Sequence, residues 1–524
     1  MFAQISTVAF LGIEARPIDV QVQIGAGLPS FSIVGLPDKA VAESRERVRA
    51  ALCSIGLGLP AKRITVNLAP ADLPKEGSHY DLPIAVGLMV ASGAMPGDEI
   101  GDYVVIGELG LDGAVAAVTG TLPAAIGANS LDKGLICPFA CGSEAAWASP
   151  EMGILAPPHL LSLVNHFKGI GELQRPVPQL DETKPDILDL RDVRGQNMAK
   201  RAVEIAAAGG HHILMTGPPG AGKSMLAKRL PGLLPPLEPQ EMLEIAMVRS
   251  MAGQLGGGRL SRERPFRAPH HSASMAALVG GGSRPRPGEV ALAHHGVLFL
   301  DELPEFLPQV IDALRQPLES GEIIIARANH RITYPTRIQL VAAMNPCRCG
   351  HATQAGVSCR QGPSCRDRYM ARLSGPILDR IDIRITVPAV TAADLALPAA
   401  REGSAEVRAR VEAARRRQIE RYRVIAPGPI STNAECPPAL LEAVAAPDSA
   451  GEKLLRDAAS AFGLSARGYH RALRLARTLA DLDGEKKLLV AHIAEALALR
   501  GTDVTRGGRS GPHASEHLAL PAQA

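Results

Sequence analysis

Hydrophobic positions in residues 1–170 alternate between two periods. Short β-branched runs predict strands and apolar positions three and four residues apart predict helices. The strands are expected at Ile18–Ile24, Arg63–Leu68 and Tyr103–Ile106, and the helices at Asp38–Ile55 and Leu82–Ser92. Such an alternation of strands and helices is typical of an α/β domain.

The pattern changes three times along the rest of the chain. Residues 171–187 are rich in proline and charge, which predicts a linker. A second α/β pattern covers residues 188–388, whereas residues 389–500 have a helical period without strand runs, as expected of a helical bundle. Residues 501–524, with Arg506-Gly507-Gly508-Arg509, predict a disordered tail. The expected fold class is α/β, with a helical third domain.

Composition narrows the classes of function. The chain has 524 residues, of which 46% are hydrophobic and 3% aromatic. Each domain can therefore bury a core, and an interface of stacked aromatic rings is not expected. Residues 1–188 contain 12 Lys and Arg against 20 Asp and Glu, and the remainder contains 44 against 33. A polyanion would therefore meet the second part of the chain, unless its arginines only cover solvated helix faces.

Neither membrane insertion nor secretion is indicated. The longest uncharged apolar run, Leu82–Met95, is shorter than the ~18 residues of a membrane span. No Lys or Arg precedes the first apolar stretch, unlike in a secretory signal. We expect a cytoplasmic protein, in which eight cysteines do not indicate a disulfide framework.

A phosphate-binding loop lies in the second block, between a strand pattern and a helix pattern. Its residues match the P-loop pattern at every required position: Gly217, Pro218, Pro219, Gly220, Ala221, Gly222, Lys223 and Ser224. Backbone N–H groups of such a loop converge on phosphates, and the helix dipole assists them. Lys223 would meet the β- and γ-phosphates, and Ser224 would ligate Mg²⁺.

Two later strand patterns end in polar residues that suit the same chemistry. Gly296–Leu300 is followed by Asp301 and Glu302, and Ile338–Met344 is followed by Asn345. Asp301 would orient the hydrated Mg²⁺, and Glu302 would polarise the attacking water. Asn345 would hold that water against the γ-phosphate.

Phosphoryl transfer also needs cations near the leaving charge, and these are often arginines supplied by another subunit. Arg380 is the best candidate, and Arg467, at the start of a helix pattern, is a second. Arg471 lies one turn further along the same helix face. A surface salt bridge is the alternative for Arg380 and for Arg467.

Together these residues resemble those of AAA+ ATPases of the magnesium-chelatase-like branch. Nearly the whole chain is similar to the ComM/YifB family, bacterial proteins linked to DNA branch migration during natural transformation. The most specific stretches are Asn67–Gly77, Arg264–His271, Pro287–Val290 through Asp301-Glu302, and Leu373–Pro376. The resemblance implies Walker A at 217–224, Walker B at Asp301 and Glu302, sensor 1 at Asn345, an arginine finger at Arg380 and sensor 2 at Arg467. It also implies a ring, commonly a hexamer.

Two segments could present cations to the pore of such a ring. One is Gly253–His295, with glycine joints and the side chains Arg259, Arg262, Arg264, Arg267, His270 and His271. The other is a predicted hairpin with strands Glu322–Ala326 and Arg331–Tyr334. Similar hairpins in related helicases grip phosphates, so we expect DNA contacts at Arg327, His330 and Arg331. An exposed hairpin with ordinary polar tips is the alternative.

The loop of residues 345–366 carries four cysteines, Cys347, Cys349, Cys359 and Cys365. Four thiolates in one Gly-rich loop suit a structural Zn²⁺ site. The usual Cys-x₂-Cys spacing is absent, so reduced thiols without a metal are the alternative.

The first domain resembles the Lon-protease-like fold, which also occurs in a RadA-type recombination helicase. In the protease, the loop Pro-Lys-Asp-Gly-Pro-Ser holds the nucleophile. Here the loop is Pro74–His79, with His79 at the place of that serine and Ser78 one position early. No suitable lysine stands near Ile136–Pro138. A Ser/Lys dyad needs both groups within hydrogen-bond reach, so we expect a non-proteolytic domain.

The sequence therefore predicts a cytoplasmic, Mg²⁺-dependent ATPase that works as a ring-shaped DNA motor, a helicase promoting branch migration. One other function left open is that of an ATPase subunit that helps to insert Mg²⁺ into porphyrin. Another is a Lon-like ATP-dependent protease. The Lon-like first domain and the cysteine loop both depart from the plan of the chelatase subunit.

Overall fold

The computed structural model describes residues 1–500 except 183–187, 283–285, 327–330, 350–363, 397, 399, 427 and 429. Among these residues, no helix combines the length and the apolar character that a membrane crossing requires.

The first domain contains a mixed seven-stranded sheet, covered by helices, and a separate two-stranded sheet. Its strands are β1 (Phe2–Leu11), β2 (Glu14–Gly25), β3 (Ser30–Val34), β4 (Arg63–Ala69), β5 (Tyr103–Val105), β6 (Glu108–Leu109), β7 (Val115–Ala116), β8 (Gly134–Ile136) and β9 (Ile154–Leu155). Its helices are α1 (Lys39–Ser54), α2 (Asp81–Ala91), α3 (Gly97–Ile100), α4 (Thr121–Asn129), α5 (Gly142–Ala145) and α6 (Leu160–Phe167). The sheet order is β3-β4-β2-β1-β5-β8-β9.

Local sequence explains these elements. Ile64, Val66 and Leu68 alternate with less buried residues along β4, so one face of the strand enters the core. Helix α2 is apolar on all sides and is buried accordingly. The Asp38 carboxylate caps α1 by accepting from the backbone N–H of Val41 at 2.8 Å. The strands and helices predicted for this domain are confirmed, with ends shifted by a few residues at most.

The second block, together with the linker before it, contains a five-stranded sheet and three two-stranded sheets in its described residues. Its strands are β10 (Gln179–Leu180), β11 (Ile213–Thr216), β12 (Arg259–Leu260), β13 (Phe266–Arg267), β14 (Gly280–Gly281), β15 (Arg286–Pro287), β16 (Val297–Leu300), β17 (Glu322–Ala326), β18 (Arg331–Pro335), β19 (Gln339–Met344) and β20 (Ile383–Thr386). Its helices are α7 (Asn197–Gly209), α8 (Lys223–Leu233), α9 (Pro239–Ala252), α10 (Met275–Val279), α11 (Glu289–Leu292), α12 (Pro308–Asp312), α13 (Pro317–Ser320), α14 (Ser364–Met370) and α15 (Gly375–Leu378).

All strand pairs in this sheet are parallel, in the order β13-β16-β19-β11-β20. Strands β16 and β19 are buried along their whole length, as expected of a parallel sheet covered on both faces. Strand β11, which comes first in the chain among the strands of this sheet, lies between β19 and β20. Strand order therefore reverses beside β11, and ligands bind beyond the carboxyl ends of strands at such a position.

The third block is helical. Its helices are α16 (Ala392–Ala396), α17 (Ser404–Ile425), α18 (Pro438–Val444), α19 (Ser449–Phe462), α20 (Ala466–Asp483) and α21 (Val490–Arg500). The described part of residues 389–500 contains no strand. Buried residues of α20 such as Leu475 and Leu479 share one hydrophobic cluster with Ile213 and Val341 of the sheet. The helical block therefore packs directly on the five-stranded sheet.

Parts of the segment Gly253–His295, predicted as a pore insertion, pack within the protomer. Strand β13 within it is an edge strand of the core sheet, paired with β16. The indole Nε1 of Trp147, in the first domain, donates to the carbonyl of Gly258 at 3.2 Å. Leu260 is buried in a cluster with Leu122 of that domain. Leu260 and β13 of the segment are thus covered by the first domain and by the sheet, and β12 pairs with β10 of the predicted linker.

Candidate active site

The phosphate-binding loop leaves β11 and ends at the start of α8. Gly220 and Gly222 have φ values of 77° and 89°, a left-handed backbone that favours glycine. The Lys223 ammonium donates to the carbonyls of Gly217 at 2.7 Å and Pro218 at 3.0 Å. Burial lowers the pKa of Lys223, although the carboxylates after β16 oppose this shift. The ammonium is thus held within the loop, where phosphate oxygens would also be acceptors.

Two oxygen donors meet beside the lysine. The Ser224 hydroxyl, in the first turn of α8, donates to the Asp301 carboxylate at 2.7 Å. Asp301 follows β16, and Ser224 follows β11 after the loop, so both lie at the carboxyl edge of the sheet. A hydroxyl and a carboxylate are hard oxygen ligands that fit Mg²⁺.

Glu302 and Asn345 lie at the same edge. The side-chain Oδ1 of Asn345 accepts from the Lys223 ammonium at 3.2 Å. Glu302 has a left-handed φ of 52°, and its backbone N–H donates to Asp301 at 2.9 Å. Its carboxylate is half exposed. The structure therefore brings together Lys223, Ser224, Asp301, Glu302 and Asn345.

Sequence reasoning missed one residue of this group. The Nδ1 atom of His271 lies 3.3 Å from a carboxylate oxygen of Glu302. The ring of His271 also lies edge-on to Phe306, with centroids 6.5 Å apart. The His270-His271 pair was visible in the sequence, but its link to Glu302 depends on β13 lying beside β16.

The cysteine loop begins directly after Asn345. The Sγ atoms of Cys347 and Cys349 are 3.0 Å apart, and Cys365 of α14 joins them within 4.8 Å. Cys359 lies outside the described residues. The Tyr369 hydroxyl, also on α14, shares a hydrogen bond with the Asn345 backbone, while burial raises the pKa of Tyr369 to about 12. The thiol cluster and Tyr369 thus both link α14 to the chain around Asn345.

Arg380 and Arg467 lie elsewhere. Arg380 precedes β20, whereas the phosphate-binding loop follows β11, and these parallel strands pair Ile213 with Ile383. The two features therefore lie at opposite ends of the sheet. The Arg380 guanidinium donates to the carbonyl of Pro376 at 2.8 Å and pairs with Glu319. Arg467 lies 3.7 Å from the same Glu319 carboxylate and is 62% exposed.

The predicted DNA hairpin is present as β17 paired with β18, but its tip is not described. Arg327 and His330 lie outside the described residues, and Arg331 is exposed at the start of β18. The middle of β18 lies against the first domain. A Cβ on Gly12, in the β1–β2 turn, would stand 2.6 Å from the Thr333 carbonyl oxygen. Among the arginines of the other predicted pore segment, Arg267 is paired with Glu289 at 2.6 Å.

A cluster of His and Glu side chains at the opposite edge of the sheet does not fit a metal. The Nδ1 atom of His294 accepts from the backbone N–H of Arg337 at 3.0 Å, so its Nε2 carries the proton. That Nε2 donates to Glu244 at 3.1 Å and has no lone pair for an ion. The bond from His294 is the largest influence that lowers the pKa of Glu244, to about 2. The cluster instead binds α9 to the chain before β16.

In the first domain, Ser78 and Lys75 form hydrogen bonds with other groups and not with each other. The Ser78 hydroxyl donates to the Glu108 carboxylate, and the buried Lys75 ammonium donates to the Pro70 carbonyl. The Nε2 atom of His79 lies 2.9 Å from the Val8 carbonyl, and burial lowers the pKa of His79 to about 4. These contacts do not form a Ser/Lys dyad.

Comparison with known families matches three parts of the chain. The model described as magnesium chelatase, subunit ChlI, matches residues 189–395. A model described as subunit ChlI of Mg-chelatase matches residues 20–141, and one for the ChlI C-terminal region matches residues 401–500.

Relatives with similar sequences cover nearly the full length. Competence protein ComM of Haemophilus influenzae is 45% identical over 498 residues, which are 94% of this chain and 96% of that protein. The uncharacterized protein YifB of Salmonella typhimurium is 43% identical over 502 residues, 96% of this chain and 97% of YifB. The magnesium-chelatase 38 kDa subunit of Rhodobacter capsulatus is 27% identical over 32% of this chain and 52% of its own length. The chain therefore belongs to the ComM/YifB family of magnesium-chelatase-like AAA+ proteins.

Proposed function

We propose that this protein is a cytoplasmic, Mg²⁺-dependent ATPase that forms a ring, commonly of six copies, and moves DNA to promote branch migration. The observation that carries the proposal is the placement of Lys223, Ser224, Asp301 and Glu302 at one edge of the sheet with Arg380 at the other. A site divided in this way would be completed by a second copy, and head-to-tail contacts close into rings when the rotation between copies allows it.

Family membership implies ATP and Mg²⁺ as ligands, and the polar groups suit them. Lys223 and the loop N–H groups would bind the phosphates, while Ser224 and Asp301 would hold the metal. Glu302 would orient and deprotonate the attacking water, and its half-exposed carboxylate is accessible for this. Asn345, bonded to Lys223, would position the same water beside the γ-phosphate.

Arg380 would stabilise charge on the phosphates bound by the neighbouring copy. Its guanidinium is occupied within its own chain by Glu319 and two backbone carbonyls, of Arg315 and Pro376. Arg467, as sensor 2, shares Glu319 and is exposed. The Arg380 side chain is only 12% exposed, so it would leave Glu319 to reach the phosphates of a neighbour.

The DNA activity is supported by the competence protein among the relatives and by the cationic second part of the chain. Arg331, at the exposed start of β18, would contact phosphate together with Arg327 and His330. The test is the ATPase rate with no DNA and with single-stranded, duplex and four-way-junction DNA. Stimulation by junction DNA supports the motor, and an identical rate in all four conditions contradicts it.

A second candidate is an ATPase subunit of a magnesium-chelatase-type complex. It is favoured by the three family models, whose descriptions all name that enzyme. Insertion of Mg²⁺ into porphyrin in the presence of partner subunits, without DNA stimulation, would establish it. A protease, the third alternative, has no support in the contacts of Ser78. Cleavage of casein that is abolished by Ser78→Ala would be needed to restore it.

We also propose a structural zinc ion held by Cys347, Cys349, Cys365 and Cys359. The three described thiols converge within the distance that a tetrahedral ion requires, and thiolates are ligands that Zn²⁺ prefers. Elemental analysis of the purified protein should give about one Zn²⁺ per chain. Cys365→Ser should lower this content, while Cys436→Ser, a buried cysteine of the helical block, should not.

For the first domain we propose a Lon-protease-like fold without proteolysis. Its net negative charge opposes a broad phosphate-binding surface. Its packing on α9 and on the hairpin suits a second tier that braces the ATPase.

A further inference from the structure

A buried hydrogen-bonded network links the helical block to the residues around Arg380. One guanidinium nitrogen of Arg471, on α20, donates to the backbone carbonyl of Arg380 at 2.7 Å. The same nitrogen donates to the Asp382 carboxylate at 2.6 Å. The other Asp382 oxygen lies 3.2 Å from Nδ1 of His211. Arg471 thus holds the backbone of the candidate finger directly.

The same network continues into α20 through a second contact. The Nε2 atom of His211 lies 2.8 Å from the Thr478 hydroxyl, which is on the same helix as Arg471. His211 and Thr478 are fully buried, and Asp382 is 4% exposed. Burial by itself would raise the pKa of Asp382, but Arg471 and His211 outweigh it and hold that pKa below its usual range. Asp382 is therefore a buried carboxylate fixed from two sides.

A separate contact links the same two segments at the surface. Arg467 lies one turn before Arg471 on α20, and it shares the Glu319 carboxylate with Arg380. Helix α20 is therefore linked to the Arg380 segment in two places. In the interior, Arg471 bonds the backbone carbonyl of Arg380, and at the surface, Arg467 and Arg380 share Glu319. His211 lies two residues before the start of β11, so the same network also reaches the base of the strand that carries the phosphate-binding loop.

We propose that Arg471 and Asp382 are positioning residues that join α20 and the Arg380 segment into one unit, which presents the arginine to the neighbouring copy. This rests on the proposed ring ATPase. It extends that proposal by stating how a movement of the helical block in one protomer would reach the site of the next. Such a buried pair resists separation because removing one partner leaves an uncompensated charge.

The test uses the full-length Arg471→Met variant. We expect its ATPase rate to fall at least about tenfold, as a misplaced catalytic group would cause. The affinity of this variant for ATP should be unchanged, since its phosphate-binding loop is intact. Addition of Lys223→Ala protomers, which retain Arg380 and Arg471, should restore activity at the intact loops of Arg471→Met. Arg471→Lys, which can still donate to both acceptors, should retain more activity than Arg471→Met.

A folding defect is separated from a positioning defect in two ways. The double variant Arg471→Met/Asp382→Asn leaves no unpaired charge, so it should recover thermal stability but not ATPase activity. Arg474→Met removes a guanidinium of the same helix that bonds the Cys436 carbonyl at 2.8 Å, and its rate should stay near that of the unaltered protein.

The proposal is overturned if Arg471→Met retains full activity, or if Lys223→Ala protomers do not restore it while they do restore Arg380→Ala. If Lys223→Ala protomers also fail to restore the ATPase rate of Arg380→Ala, then the proposed division of the site between copies is wrong. That result contradicts the proposed function rather than the role of Arg471.

Discussion

Mixing Arg380→Ala protomers with Lys223→Ala protomers should restore part of the ATPase activity that each variant lacks alone. Lys223→Ala removes the ammonium bonded to Asn345 and the loop, so this protomer should lose nucleotide binding. Arg380→Ala keeps an intact loop but lacks the cation, a loss of about 10³- to 10⁵-fold in rate where an arginine finger acts.

The size of the recovery follows from the geometry of the sheet. Because the loop and Arg380 lie at opposite ends, each interface takes its loop from one copy and its arginine from the next. An interface is active when an Arg380→Ala loop faces a Lys223→Ala neighbour. At equal amounts, half of the loops belong to Arg380→Ala and half of their neighbours are Lys223→Ala. About one interface in four is therefore active, whatever the number of copies in a closed ring.

The assay measures ATPase rate at constant total protein while the ratio of the two variants changes. If sites act independently, the rate should rise from near zero to about a quarter of the rate of the unaltered protein at equal amounts, and then fall symmetrically. In a matched control, a protomer carrying both substitutions replaces Lys223→Ala and supplies neither group. A rate that equals the weighted sum of the parents at every ratio would refute an arginine acting between copies.

Substitutions at three further positions test single residues. Glu302→Gln should bind ATP but hydrolyse it about 10²- to 10⁴-fold more slowly, because it removes the proton acceptor; normal turnover contradicts this role. His271→Ala should lower kcat by about tenfold with little change in KM, since it releases the Glu302 carboxylate, and His271→Asn should be less affected. Arg331→Ala should weaken DNA binding and reduce its salt slope by about one, and an unchanged slope in a filter-binding titration would remove this arginine from the interface.

Much of the nucleotide site could be predicted from local patterns. A loop of glycines between a strand and a helix, or a carboxylate directly after a buried strand, needs only a few neighbouring residues to be recognised. The pairing of Lys223 with Asn345, separated by 122 positions, could be expected once both were placed after strands of one sheet. His271 could not be linked to Glu302 in this way. The strand that precedes it, β13, has only two residues, which is too short for a period to be recognised in the sequence.

The sequence by itself determined the order of the elements and the chemistry that each strand end carries, because short-range periodicity and residue type are properties of the chain alone. Only the tertiary structure decided which strand ends share an edge. Parallel register places Arg380 at the edge opposite Lys223, and packing of the first domain brings Trp147 against Gly258. Such contacts are chosen by which apolar faces can be buried together, and that depends on the whole fold.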